Sequence, residues 1–493
     1  MYQNGILVLE MGGGEARSIT RKVRGERVFA EVLPFDAPIE RMLERQPKGI
    51  ILCGDDRDAF APGAPDLAAE VYQLGLPMLG LGNGARLLMR HAGAQLRTTE
   101  KQPGTLPVAF DGQSRLFIDL EHSERVVDRL DEYQLPEGFR VTATIKDGRG
   151  VAFEDVERGL YAVQFYPETN DPDGLAILNH FAIDVCGADD DWTAENIMNR
   201  AVEQIRNNVG DRRALTAISG GVDSAVCAAL MFRAIGDQLH CLHVDTGLMR
   251  LGEREQVEEY FAEHGMNLTV VDARARFLQR LKGITDNELK HRIVYAEYEH
   301  VLLEASRDLG TFDLLVQGTI YNDVLDGETP YGVAHMNGEE QPKSLLEPIR
   351  MLFKDEVRDL GTALGLPDTL VCRQPFPSAG LAVRCVGEVT EEKLVMVREA
   401  DNIFRDEIKS AGLDKRIRQY FAVLTDVVTG GTPDRGYTVA LRAVNMSGTQ
   451  VSAFRLSYDV LERIVERITK EVRGVNRVVY DVTGQPPASV EWD

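Results

Sequence analysis

The sequence has no long apolar run and no cysteine pattern of an extracellular or metal-binding protein. No stretch reaches the roughly 18 apolar residues that a membrane span needs, and the first residues lack the basic and apolar segments of a secretory signal. The cysteines form neither a CxxC pair nor a Cys/His spacing typical of zinc sites. They are Cys53, Cys186, Cys227, Cys241, Cys372 and Cys385. We therefore expect a cytoplasmic protein with reduced thiols and no membrane association.

Positive charge is also scarce. The chain has 55 Lys and Arg against 78 Asp and Glu, which gives a formal net charge of -23. This balance disfavours broad contact with nucleic acid or anionic membranes, although small anions can still bind where cations cluster. Hydrophobic residues make up 44% and charged residues 27%, as in globular proteins. At roughly 150 residues per domain, a chain of 493 residues predicts about three domains.

Short apolar runs between amphipathic segments predict the buried strands of α/β domains. They lie at residues 6–9, 49–53, 78–81, 161–165, 214–218, 240–244 and 314–316. Near the carboxyl end, strand-like pieces at 437–443 and 477–482 lie on either side of a helix predicted over 458–472. The fold class is therefore two parallel-sheet α/β domains followed by a small α+β domain. We place these domains at residues 1–186, 195–376 and 377–493, with a polar linker at 187–194 that ends in a helix cap at Thr193.

The most informative segment follows the predicted strand at 214–218 and precedes a predicted helix. It reads Ser219-Gly220-Gly221-Val222-Asp223-Ser224. The glycines let the backbone approach an anion, the serine hydroxyls donate, and the helix N-terminus adds N–H groups, so the loop can hold a pyrophosphate. Asp223 is then a candidate magnesium ligand. An ordinary glycine turn with a capping serine is the alternative, which the complete string disfavours. The string resembles the signature of the N-type ATP-pyrophosphatases, which cleave ATP between the α and β phosphates.

Further segments follow in the order and spacing of one family. They read His-Val-Asp-Thr-Gly-Leu-Met-Arg at 243–250, Gln-Gly-Thr-Ile-Tyr-Asn-Asp-Val at 317–324, and Leu-Phe-Lys-Asp-Glu-Val-Arg at 352–358. The carboxyl end reads Gly-Gln-Pro-Pro-Ala-Ser-Val-Glu-Trp-Asp. Over its whole length the chain resembles the GMP synthetase family, in which a class I glutamine amidotransferase domain is fused to an ATP-pyrophosphatase domain and a dimerisation domain.

The resemblance implies a site for ATP and magnesium, and a homodimer formed through the last domain. The residues implied to bind ATP and pyrophosphate are Ser219, Gly220, Gly221, Val222, Asp223, Ser224, Asp245, Gln317, Gly318, Thr319 and Lys354. Those implied to bind a purine nucleotide are Arg250, His335, Asn337, Arg373, Arg477, Gln485, Ser489 and Glu491. The catalytic candidates are Asp223, Lys354 and Asp323, with Lys354 neutralising the pyrophosphate and Asp323 assisting a metal or ordering the site.

The first domain departs from the family at its glutaminase residues. Gly82 stands where the family has the nucleophilic cysteine, and Tyr166 replaces the histidine, whereas Glu168 is kept. Glycine offers no nucleophile, and tyrosine, with an ordinary pKa of about 10, is a poor general base at neutral pH. Cys53, at a different strand end, is a weak substitute. We expect no glutaminase activity, so that ammonia comes from solution or a partner.

The nucleotide site departs from the family as well. The lid keeps only His335 and Asn337, Pro-Phe-Pro-Ser-Ala-Gly-Leu replaces the family's PFPGPGL at 375–381, and Gln485 replaces a tail lysine. Losing one cation weakens a charge-assisted phosphate contact by about 1.5–3 kcal/mol, which is enough to change substrate preference.

We therefore expect an ATP-dependent ligase that adenylates XMP or an analogue and aminates it with free ammonia. Adenylation followed by attack of a sulfur or amine nucleophile is one alternative, and a nucleotide-binding scaffold without activity is another.

Overall fold

The structure, a computed structural model, describes residues 2–54, 59–61, 66–167, 172–327, 344–431, 435–447 and 450–492. The chain divides into two compact units, Met1–Asn196 and Ile197–Asp493. Within the described ranges, no helix has both the length and the apolar composition that crossing a bilayer requires. The finer domain boundaries at residues 186, 194 and 376 stay predictions.

The first unit is built on one mixed sheet. Its strands are β1 (Ile6–Glu10), β2 (Ala30–Pro34), β3 (Gly49–Cys53), β4 (Met78–Leu81), β5 (Gln95–Phe110), β6 (His122–Gln134), β7 (Arg140–Ile145), β8 (Gly150–Asp155) and β9 (Leu160–Val163). Its helices are α1 (Glu15–Gly25), α2 (Ile39–Leu43), α3 (Ala69–Tyr72), α4 (Asn83–His91) and α5 (Pro172–His180), and α6 (Ala194–Val209) begins at its end. Thr193 caps α6 as predicted, because its Oγ1 accepts a hydrogen bond from the Asn196 N–H at 3.4 Å.

The strand order in this sheet is β2-β1-β3-β4-β9-β8-β7-β5-β6. The strands from β2 to β9 run parallel, and those from β9 to β6 pair antiparallel. The central parallel strands β3 and β4 are apolar throughout because both of their faces are covered, and every one of their residues is buried. The α/β class is confirmed, and the antiparallel half is an addition. It was missed in part because β5 is polar and exposed over most of its length, with an apolar run only at its end.

The second unit contains two sheets. Its strands are β10 (Ala214–Ile218), β11 (Leu239–Asp245), β12 (Leu268–Asp272), β13 (Leu314–Val316), β14 (Ser344–Leu346), β15 (Gln419–Thr429), β16 (Gly436–Ser447), β17 (Gln450–Ala453) and β18 (Val475–Asp481). Its helices after α6 are α7 (Val222–Ile235), α8 (Glu253–Glu263), α9 (Arg274–Leu281), α10 (Asn287–Asp308), α11 (Tyr321–Asp326), α12 (Lys354–Ala363), α13 (Asp368–Val371), α14 (Glu391–Ser410) and α15 (Tyr458–Glu471).

The first sheet of this unit is parallel, with the order β12-β11-β10-β13-β14 and β10 at its centre. The second sheet pairs β16 with β15 and β17 antiparallel and with β18 parallel. Helices α14 and α15 supply buried side chains to the same apolar core as this second sheet. The predicted α/β domain and small α+β domain are thus both present.

Candidate nucleotide site

The predicted pyrophosphate loop lies at the carboxyl edge of a parallel sheet. β10 ends at Ile218 and α7 begins at Val222, so the loop between them turns directly from strand into helix. The neighbouring strands β11 and β13 run parallel to β10 and end at the same edge, at Asp245 and Val316. This edge is where ligands bind in open α/β sheets.

Hydrogen bonds within the loop fix its shape. The hydroxyls of Ser219 and Ser224 lie 3.1 Å apart, the Gly221 N–H donates to Ser219 Oγ at 3.3 Å, and the Ser224 hydroxyl donates to the Gly221 carbonyl at 3.0 Å. Gly220 has a φ of +78°, in the left-handed region that favours glycine. The loop is therefore a preformed turn in front of the N-terminus of α7, where N–H groups and the helix dipole favour an anion.

A cation and a carboxylate meet beside the loop. Lys354, the first residue of α12, places its Nζ 2.5 Å from Asp223 Oδ2. The other carboxylate oxygen of Asp223 is buried and has no hydrogen-bond partner within the described part of the chain. That oxygen fits a magnesium ligand. The described residues contain no group of three His, Cys, Asp or Glu side chains that could hold a metal ion.

Of the other residues predicted to bind ATP, some lie against this pair and others contact different parts of the protein. Gly318 lies against Asp223, since a Cβ at Gly318 would be 3.3 Å from the Asp223 backbone. Gln317 is buried at the end of β13, and the Thr319 hydroxyl donates to Glu347. Asp323 accepts the Ile320 N–H at 2.9 Å, which stabilises the first turn of α11.

Asp245 lies at the end of β11 and is already paired. Its carboxylate accepts the Gly247 N–H at 2.9 Å and the Arg254 guanidinium at 2.8 Å. It therefore shapes the turn after β11. Its predicted role in ATP binding stays a prediction.

Two of the arginines predicted to bind substrate have side chains that are at most 10% exposed. Arg373 donates to the Gly220 carbonyl and pairs with Glu253. Arg250 donates to the backbone carbonyls of residues 374 and 375 at 3.2 and 3.0 Å. Both side chains thus hold the protein itself in this conformation.

The tail residues predicted to bind substrate lie at the end of the second unit. Glu491 pairs with Arg384 at 3.4 Å, and the Ser489 carbonyl accepts from Arg442 at 2.9 Å. Arg477 is exposed on β18, and Gln485 is exposed and paired through its backbone with Val451. Glu168, His335 and Asn337 lie outside the described residues.

Sequence reasoning missed the buried ionic residues of this unit. Arg384, Asp401 and Glu253 are buried and join the segment after β11 to the C-terminal sheet. Arg384 follows closely on the segment 375–381, which was the only signal in the sequence that pointed to it. Glu253 and Asp401 lie on polar helices, where charged side chains are usually solvated.

In the first unit, the predicted glutaminase elbow is a turn with glycine at position 82 and the Tyr166 ring beside it. Gly82 joins β4 to α4 with φ 52° and ψ -111°, a conformation strained for any residue with a side chain. A Cβ at Gly82 would lie 3.0 Å from Tyr166 Cε1 and 3.1 Å from Tyr166 Oη. The tyrosine ring therefore fills the space that a side chain at position 82 would need, and the two substitutions fit one another sterically.

The chain matches two family models, glutamine amidotransferase class-I over residues 7–185 and GMP synthase C terminal domain over residues 406–492. It is 43% identical over 506 residues to a glutamine-hydrolysing GMP synthase of Acetivibrio thermocellus, covering 99% of each chain. It is 42% identical over 505 residues to that of Carboxydothermus hydrogenoformans, again covering 99% of each chain. The chain belongs to the GMP synthase family. It is therefore a ligase of the GMP synthase type, from a family that uses ATP.

Among solved structures, an NH3-dependent NAD synthetase from Campylobacter jejuni matches with 17% identity and a TM-score of 0.30, covering 45% of this chain and 85% of that one. The two full-length relatives carry the family assignment.

A buried histidine lies next to the ATP loop of this GMP synthase family member. His243 on β11 is fully buried, and its Nδ1 lies 2.6 Å from the carbonyl of Ile218, the last residue before the loop. Burial lowers the pKa of His243, opposed by this hydrogen bond and by Asp245. The folded protein therefore holds a neutral imidazole near neutral pH.

We predict an acid-dependent loss of stability from His243. Below about pH 6.5 the unfolded chain binds a proton at His243 that the folded chain does not. The free energy of unfolding therefore decreases as the pH is lowered, by at most about 1.4 kcal/mol per pH unit. His243→Gln removes this contribution. Amide hydrogen exchange of β10 and β11 at pH 7 and pH 5.5 measures it, and an equal loss of protection in both proteins contradicts the prediction.

We also predict that Lys354→Met lowers the rate of AMP formation by about 100-fold or more, because the cation that we expect to neutralise the departing pyrophosphate is lost. The measurement is the initial rate with ATP, magnesium, purine nucleotide and ammonium. Lys415→Met, at an exposed position on the same unit, is the matched control. If the two variants lose the same activity, Lys354 has no special role.

Proposed function

We propose that this chain uses ATP to aminate XMP or a close purine nucleotide analogue with free ammonia. Family membership supports the ligase reaction, because both full-length relatives are named GMP synthases. The SGGVDS loop, whose Asp223 pairs with Lys354, supports ATP cleavage by this chain's own residues. The inference that ammonia is the nitrogen source rests on Gly82, which provides no nucleophile at the elbow.

The proposed reaction has two steps. A carbonyl oxygen of the purine attacks the α-phosphorus of ATP, and the bond to the β-phosphate breaks, releasing pyrophosphate. Ammonia then attacks the adenylated carbon, and the C–O bond breaks, so that AMP leaves with that oxygen and ammonia's surplus protons pass to solvent. The net change replaces oxygen by nitrogen on the purine, without oxidation or reduction.

The chain's own groups act by binding and positioning. The N–H groups at the start of α7 and the serine hydroxyls receive the departing pyrophosphate, and Lys354 neutralises its charge. Magnesium, held by Asp223 when bound, would supply further neutralisation of the phosphates.

The missing glutaminase chemistry distinguishes this chain from its relatives, whose names state that they hydrolyse glutamine. Releasing ammonia from glutamine in this fold requires a thiolate on the elbow and a base beside it. The elbow here holds Gly82, and the Tyr166 ring lies where the thiol would stand. We infer that ammonia reaches the second unit from solution or from a separate protein. We further propose, on the family resemblance, a cytoplasmic homodimer formed through the C-terminal region.

The test compares nitrogen sources. With purified protein, ATP, magnesium and XMP, we predict pyrophosphate and AMP release with an ammonium salt and none above background with glutamine. Turnover with glutamine would refute the inference from Gly82 and Tyr166. If XMP supports no turnover with either source while ATP binds, the substrate is a different purine, or the chain binds nucleotide without catalysis. A panel of purine nucleotides and of sulfur and amine nucleophiles distinguishes these outcomes.

A further inference from the structure

A series of ionic side chains connects the C-terminal tail to the ATP loop. In order from the tail, it consists of Glu491, Arg384, Asp401, Arg250, Glu253 and Arg373, and we call it the ionic chain. Negative and positive charges alternate along its whole length. Its last member, Arg373, donates a hydrogen bond to the carbonyl of Gly220 in the loop. Residues far apart in the sequence are thus joined by direct contacts.

Asp401 is the centre of the ionic chain. One of its oxygens lies 3.2 Å from Arg250 Nε, and the other lies 3.5 Å from Arg384 Nη1 and accepts the Ala422 N–H at 3.1 Å. The side chains of Arg250, Arg384 and Asp401 are 1%, 0% and 1% exposed. Water therefore does little to screen these contacts, and each charge depends strongly on its neighbours.

The three arginines of the ionic chain lie around one aromatic ring, that of Phe376. The guanidinium carbons of Arg250, Arg384 and Arg373 lie 4.3, 5.2 and 5.7 Å from the centre of the Phe376 ring. Such distances are within the range of cation–π attraction. Because the arginines share one ring and a limited number of carboxylates, a change in the pairing of one alters what is available to the others.

The tail end of the ionic chain is its accessible end. The Glu491 side chain is 22% exposed, and besides Arg384 it contacts the side-chain amide of Gln419. Glu491 is also the tail residue that the family resemblance assigns to the purine. A purine nucleotide that engages Glu491 would therefore have to change its pairing with Arg384.

We propose that Asp401 is a positioning residue that couples the pairing of Glu491 in the tail to the affinity of the loop at 219–224 for ATP. The proposal rests on the proposed function in taking this loop as the ATP site and Glu491 as a contact of the purine nucleotide. When Glu491 leaves Arg384, Arg384 draws Asp401 toward itself, Arg250 depends more on Glu253, and Arg373 is less neutralised beside Gly220. The loop becomes more positive and binds the triphosphate more tightly. By linkage, bound ATP favours release of Glu491 to the purine by the same factor.

The test measures ATP binding in the absence of any purine nucleotide, so a direct contact between Glu491 and the purine has no influence. Calorimetric titration of the full-length protein with ATP and magnesium is expected to give about five-fold tighter binding for Glu491→Gln than for the unmodified chain, within the usual range of coupling between sites. Glu462→Gln, which removes one exposed carboxylate from α15 of the same unit, is the matched control and is expected to leave the affinity unchanged.

A double-mutant cycle assigns the coupling to Asp401. In an Asp401→Asn background, adding Glu491→Gln is expected to leave ATP affinity unchanged, because the central carboxylate is gone. The proposal is overturned if Glu491→Gln has no effect in the unmodified chain, or if its effect is equally large with Asp401→Asn. A wild-type protein that binds no ATP refutes the proposed function, whereas one that binds ATP without responding to Glu491→Gln refutes the coupling alone.

Hydrogen exchange gives a second readout that needs neither ATP nor the Asp401→Asn variant. Glu491→Gln is expected to change amide exchange at residues 219–224 as well as in the tail, and Glu462→Gln is expected to change neither. A change confined to the tail overturns the proposal, even if the central variant fails to fold.

Discussion

The structure depends on one backbone constraint, a glycine turn that carries a buried parallel strand directly into a helix. It occurs at Gly82 between β4 and α4, and at Gly220 between β10 and α7, with positive φ at both glycines. In each unit the turn lies at the carboxyl edge of parallel strands and directs helix N–H groups outward. The position of each candidate site follows from this geometry before any reactive side chain is considered.

The two turns differ in the side chains placed around them. The turn at Gly220 has two serine hydroxyls 3.1 Å apart and a lysine paired with a carboxylate, and the hydroxyls and the lysine are suited to a phosphate ligand. The turn at Gly82 has a tyrosine ring packed over it and no nucleophile. The same fold element thus carries groups that suit a phosphate in one unit and a glycine without a nucleophilic side chain in the other, and we propose that the nitrogen source separates this chain from its glutamine-hydrolysing relatives.

Sequence patterns predicted those elements whose structure is determined by nearby residues. The string at 219–224 predicted the strand, turn and helix correctly, and the helix predicted over 458–472 is α15. The antiparallel strand β5 was missed, since a strand that is polar and exposed over most of its length gives little apolar signal. The burial of Arg250, Arg384 and Asp401 was also unpredictable, because local sequence does not show that carboxylates and arginines from distant segments meet in one core.

The central claim is that the second unit adenylates a purine oxygen and lets ammonia displace it. The most direct measurement uses a purine nucleotide labelled with 18O at the oxygen that amination removes, together with ATP, magnesium and ammonium, followed by mass spectrometry of the AMP. The account predicts that the AMP carries the label and that the aminated product has lost it. AMP without the label, or label released into water, would contradict adenylation of the purine.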